Sequence, residues 1–121
     1  NINKWNVSNV TNMSDMFSEA HRFNQPLESW NISKVTDTSY MFYGASSFNR
    51  PLNNWNTCNI TNMNHMFHKA SNFNQPLDSW NVHHITRMDA MFYEASGFNQ
   101  SFDSWNVNNV DELFTSRRYC F

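Results

Sequence analysis

Trp5, Trp30, Trp55, Trp80 and Trp105 recur every 25 residues without a slip, and Asn follows each of them. A fixed period of this size marks stacked units, none able to bury its apolar face alone and each giving a floor to the next. Five such units fill nearly all of the 121 residues. Residues 1–121 therefore read as one repeat domain, its units starting near those tryptophans, with 111–121 a divergent cap or tail.

Aligning the chain on this period gives columns of equivalent residues. Thr11, Thr36, Thr61, Thr86 and Asp111 form one, each able to cap a helix N-terminus through its side-chain oxygen. Met13, Thr38, Met63, Met88 and Leu113 follow two residues later. Then come Met16-Phe17, Met41-Phe42, Met66-Phe67 and Met91-Phe92, and finally Ala20, Ala45, Ala70 and Ala95. The spacing i, i+3, i+4, i+7 predicts one buried helical face. A helix of about 10 residues, roughly 15 Å long, is expected in each unit. It would be marginal alone, so packing must hold it.

Past this segment stand Phe-Asn pairs at Phe23, Phe48, Phe73 and Phe98, then Pro26, Pro51 and Pro76, which stop any helix. Trp30-Asn31-Ile32 and its equivalents alternate in the strand sense. The expected fold is an α/β solenoid like that of leucine-rich repeats, with one short parallel strand and one short helix per coil, about five coils in all.

Two Asn columns call for an explanation of their own. Asn6, Asn31, Asn56, Asn81 and Asn106 never vary, nor do Asn24, Asn49, Asn74 and Asn99. An amide carries both donors and acceptors, so stacked Asn can join turns of adjacent units. At least one column is expected to be a buried ladder.

The block W-N-[VI]-x-x-[VI]-T-x-M-x-x-M-F-x-x-A-x-x-F-N-Q-P-L closely resembles the repeat of BspA-like leucine-rich-repeat surface proteins. More narrowly it is similar to a short-repeat family found in mycoplasma lipoproteins, large DNA viruses and some protists. Trp30 to Leu52 and Trp55 to Leu77 carry it, with a close copy at Trp80 to Phe102. The resemblance implies a surface-exposed repeat module, part of a longer protein, with adhesion or protein binding as its role and no enzymatic activity.

Composition narrows the function further. Net charge is −2 with 15% charged residues, which leaves no electrostatic footprint for nucleic acid or anionic lipid. No apolar run is long enough to cross a bilayer. Aromatic residues reach 17%, while Gly numbers only 2, so the core rests on few large side chains and the turns on Asn and Pro. The chain opens inside a repeat without Met and reads as part of a longer one. Cys58 and Cys120 fall at different phases and make no disulfide framework.

Four features compete as sites. Cys58 and His83 share a column, and His65 and His68 stand three apart, residue types that hold zinc or copper. No C-x-x-C or H-E-x-x-H spacing accompanies them, so variable surface is the better reading and no metal is expected. Glu28, Asp78 and Asp103 share a column fit for Ca²⁺, yet a solvated edge accounts for it more simply. The Met-Phe pairs, present in every copy, read as core rather than a cofactor pocket. Tyr43, His68 and Tyr93 share an outward column with Ser18, and an exposed aromatic file suits protein contact. It is the preferred binding surface.

There is no nucleophile–base pairing, no phosphate-binding Gly loop and no acid pair outside the repeat logic. The expectation is a non-catalytic module without cofactor, binding a protein partner at the cell surface or outside the cell. The alternative is a structural component of a virion or cell envelope, assembling with neighbouring subunits through its faces or ends.

Overall fold

The segment expected to be helical in each unit is a run of turns. In the first unit the Met16 N–H donates to the Met13 carbonyl at 3.3 Å, Ser18 to Asp15 at 3.1 Å and Ala20 to Phe17 at 3.1 Å. Asp15 and Glu19, third residues of the first and last of these turns, have φ of 61° and 58°. That is the left-handed region a type II turn requires at its third position. An α-helix of L-residues excludes it, at about 1–2 kcal/mol per residue. Equivalent places repeat the conformation at Tyr40 and Gly44, His65 and Lys69, and Ala90 and Glu94.

The computed structural model describes residues 1–82 and 84–105. Among them the only helical element is a 3₁₀ turn, Ile2–Lys4, capped by the Asn1 side chain. Sheet-like pairing is confined to isolated parallel bridges linking Asn12, Asp37, Asn62 and Arg87. Trp30-Asn31-Ile32 is no strand: the Trp30 N–H closes a turn onto Leu27 at 3.1 Å, and Val35 closes one onto Ile32 at 2.9 Å. The expected α/β solenoid, with a helix and a strand in every coil, is therefore not formed. The cap expected at 111–121 lies outside the described residues.

The physical reason is in the direction of the amides. Met13, Asp15, Phe17 and Glu19 send their N–H groups to the carbonyls of Asp37, Ser39, Met41 and Tyr43 in the following unit, at 2.5 to 3.0 Å. The same four bonds recur from Thr38, Tyr40, Phe42 and Gly44, and again from Met63, His65, Phe67 and Lys69. Beyond its first turn a helix uses its N–H groups along its own axis and leaves none for a neighbour. Here every second one leaves the unit, and those between close the turns. Turn ends lie three residues apart, so consecutive turns set Met13, Met16, Phe17 and Ala20 at the same spacing as a helical stripe.

The Thr column links units instead of capping helices. Thr36 N–H donates to the Thr11 carbonyl at 2.7 Å, Thr61 to Thr36 at 2.9 Å and Thr86 to Thr61 at 3.0 Å. Their hydroxyls reach the same carbonyls at 3.1 to 3.3 Å.

The core is two files of phenylalanine rings. Phe17, Phe42, Phe67 and Phe92 stack at 5.4 to 5.6 Å. Phe23, Phe48, Phe73 and Phe98 stack alongside at 5.7 to 6.0 Å. Within each unit the two files touch at 4.1 to 4.3 Å. Phe42, Phe48, Phe67 and Phe73 are wholly buried, each contributing about 1.5–3 kcal/mol.

Each buried tryptophan joins this core with its one donor satisfied. The indole N–H of Trp30 donates to the Ile2 carbonyl, Trp55 to Leu27, Trp80 to Leu52 and Trp105 to Leu77, all at 2.8 to 3.0 Å. Where Thr38 replaces Met, its buried hydroxyl meets the Met66 sulfur at 3.3 Å. Among the described residues no buried side-chain polar atom lacks a partner. Units also approach closely at Gly97, whose N–H donates to the Ser71 carbonyl at 3.0 Å. A Cβ there would stand 2.6 Å from that oxygen.

Candidate functional site

Two neighbouring columns on the turn run carry the variable aromatic residues. Asp15, Tyr40, His65 and Ala90 occupy the left-handed corner, which throws the side chain outward. Ser18, Tyr43, His68 and Tyr93 come three residues later. The backbone at both places is held from outside its own unit: His65 N–H donates to Asp89, and the His68 carbonyl accepts from Gly44. The side chains stand on a fixed frame.

Tyr40 stacks on His65 at 4.6 Å with 9° between the rings. Tyr43 meets His68 edge-on at 5.0 Å, and His68 meets Tyr93 the same way at 5.0 Å. Tyr40 and Tyr43 touch at 5.6 Å, and the Lys69 ammonium lies 5.9 Å from the Tyr43 ring centre. Among the described residues Tyr40 and Tyr93 are two of the few large apolar side chains left exposed, at 36% and 38%. The Tyr43, His68 and Tyr93 file is thus continuous, and Tyr40 with His65 widens it into a stripe. The period already aligned Tyr40 with His65, and that was the signal available for including them.

At the centre of the stripe the Nδ1 atoms of His65 and His68 lie 2.8 Å apart, so one ring donates and the other accepts. Partial burial lowers the pKa of His65 from its ordinary 6.5, against the pull of Asp89. His68 is lowered too, first by burial and then by the charges of His65 and Lys69, with Glu94 opposing. Above its ordinary range the pair is a neutral, hydrogen-bonded surface.

The other candidates are spread apart. Among the described residues no three His, Cys, Asp or Glu converge as a metal site would need. Cys58 is an exposed free thiol, and His83 lies outside the described residues. Glu28, Asp78 and Asp103 are exposed, Asp78 accepting from Asn53 at 2.9 Å. The Met-Phe pairs of the inner units are core.

Among the described residues neither Asn column is buried. Asn6, Asn31 and Asn56 accept, each through its Oδ1, the N–H two residues on, at 3.0 to 3.1 Å. These are local turns on the surface; Asn81 is exposed as well, and Asn106 lies outside the described residues. The other column does run between units, though exposed: Asn49 N–H donates to Asn24 Oδ1, Asn74 to Asn49 and Asn99 to Asn74, each at 2.9 Å. A third set was missed. Asn12, Asp37 and Asn62 close turns onto Ser14, Ser39 and Asn64. Arg87, next in that file, has no acceptor to offer, and Asn64 Oδ1 takes the Asp89 N–H instead, at 2.8 Å. Asn and Asp alternate in that file, which hid the shared acceptor role.

A family model described as "Mycoplasma protein of unknown function, DUF285" matches residues 1–59 and 34–118, together almost the whole chain. The chain belongs to this family. The matched residues include the 25-residue units whose turns, ring files and indole bonds are described above. No curated protein and no solved structure matches the chain.

Proposed function

We propose that this DUF285 chain is a non-catalytic binding module that meets a protein partner through the Tyr43, His68 and Tyr93 file, at the cell surface or outside the cell. The observation that carries it is the edge-to-face run across three consecutive units, on backbone already fixed by bonds between units. Tyr supplies a large, amphipathic contact area, and a frame ordered before binding loses little entropy on association. The likeness of the repeat motif to BspA-like surface proteins supports the location and the adhesive role.

Surface plasmon resonance against a panel of purified extracellular-matrix proteins tests the proposal. The chain is compared with a variant carrying Ser at Tyr43, His68 and Tyr93, the residue Ser18 already provides in that column. Binding by the chain, with at least about tenfold loss in the variant and melting within a few degrees, is the expected result. Equal binding by both, or binding by neither, overturns it.

A further inference from the structure

Charge is unevenly divided between the turn run and the rest of each unit. Residues 11–20 and their equivalents 36–45, 61–70 and 86–95 hold Asp15, Glu19, Asp37, Asp89 and Glu94 against Lys69 and Arg87. The other described residues reverse the balance, with Glu28, Asp78 and Asp103 against Lys4, Arg22, Lys34 and Arg50. A chain of small net charge therefore has a negative side, and it is the side that carries the aromatic stripe.

Each tyrosine of the stripe has a carboxylate beside it. Asp15 precedes Tyr40 in the corner column, and its N–H donates to the Ser39 carbonyl at 3.0 Å. The Glu19 N–H donates to the Tyr43 carbonyl, and its side chain lies over Gly44, where an added Cβ would stand 3.4 Å from its Cγ. Glu94 follows Tyr93 in the chain, and its charge reaches His68. Asp89 is paired with Arg87 at 3.9 Å, but Asp15, Glu19 and Glu94 are exposed and form no salt bridge among the described residues.

A ring face next to an unpaired carboxylate suits a cation, which the ring quadrupole attracts and the carboxylate neutralises. The molecule makes one such contact for itself, with the Lys69 ammonium 5.9 Å from the Tyr43 ring centre. An acidic segment would be repelled here, and an apolar one would strip water from three charges without replacing it.

We infer that the stripe takes a segment of a partner protein rich in arginine or lysine, whose cations lie against the exposed Tyr40 and Tyr93 rings and pair with Asp15, Glu19 and Glu94. The inference rests on the Tyr43, His68 and Tyr93 file being a binding surface, and it names what that surface binds. Charge complementarity selects this occupant.

The test is surface plasmon resonance of the chain with a peptide of alternating arginine and serine, and with the same peptide carrying glutamate for arginine. A stripe variant, Asp15→Asn with Glu19→Gln and Glu94→Gln, is compared with a distal one, Glu28→Gln with Asp78→Asn and Asp103→Asn, which removes the same charge elsewhere. The expected result is binding of the arginine peptide alone, weakened between about 50 and 300 mM salt. It should fall at least about tenfold in the stripe variant and hold in the distal one, with both melting within a few degrees of the parent. Equal loss in the two variants, equal binding of the two peptides, or binding of neither overturns the inference. A matrix protein that loses binding on Tyr43→Ser with His68→Ser and Tyr93→Ser, but not in the stripe charge variant, overturns only the basic partner and leaves the file as a binding surface.

Discussion

The first unit and the third have the same backbone and different fates. Asp15 and Glu19 sit at φ 61° and 58°, His65 and Lys69 at 57° and 62°. Both units close the same turns, yet Phe67 and Met66 are wholly buried while Phe17 is half-buried and Met16 exposed. The local conformation therefore does not decide how stable a unit is. What decides it is having a neighbour on both sides.

Removing a ring puts the largest strain on that comparison. Phe67→Ala should cost about 3–5 kcal/mol, because Phe42, Phe73 and Phe92 enclose the cavity it leaves. Phe17→Ala should cost about 1–2 kcal/mol, since part of its surface is already wet. Urea denaturation of the two variants measures this, and equal midpoints would break the contrast. Removing a single donor is gentler. Trp55→Phe removes one of two hydrogen bonds to the Leu27 carbonyl, which keeps the Trp30 N–H, and should lose about 0.5–1.5 kcal/mol. Trp5→Phe, with no such bond to lose, should melt like the parent.

Backbone strain should not distinguish the units at all. Glu19→Gly and Glu94→Gly, both at φ 58°, relieve the same left-handed corner and should each raise stability by no more than about 1 kcal/mol. Unequal thermal shifts would show that the turns differ in ways their dihedrals conceal.

Acid gives the smallest effect, through the histidine pair of the third unit. His65 and His68 are both lowered below 6.5 in the folded chain. Above that value the folded and unfolded forms are both neutral there, and no stability is lost. As pH falls through 6.5 the unfolded chain takes up protons that the folded pair refuses, so stability declines until the lowered folded values are passed. A double variant, His65→Asn with His68→Gln, should flatten this part of the melting-versus-pH curve. In the first unit Asp15 and Ser18 hold those two columns.

How much of this was legible in the sequence differs by level. The period located which residues meet, because Thr11 and Thr36, or Asn24 and Asn49, touch at an offset of 25. The conformation was misread, since Met13, Met16, Phe17 and Ala20 satisfy the helical stripe and the turn run equally. What separates the two is where alternate N–H groups go, and side-chain pattern carries no record of that. The left-handed corners gave little warning either: Glu19, Tyr40, Lys69 and Ala90 are poor candidates for positive φ, and only Gly44 and, less strongly, Asp15 and His65 suit it. The tyrosine file was readable because its members differ from unit to unit while their surroundings stay constant. The His65–Tyr40 stack was readable in principle from the same alignment. The Asn columns were placed correctly along the chain but on the wrong side of the surface, because a short amide can close a turn in full contact with water.

The constant offsets in these bonds carry a consequence for how such a gene can change. Backbone links span 24 to 26 residues and indole links 28, in the interfaces described. A single inserted codon inside a unit would throw all the bonds crossing it out of step at once, whereas duplication or loss of one complete unit leaves each of them intact. The register of such a chain therefore tolerates a change in length of one whole repeat and not of one residue.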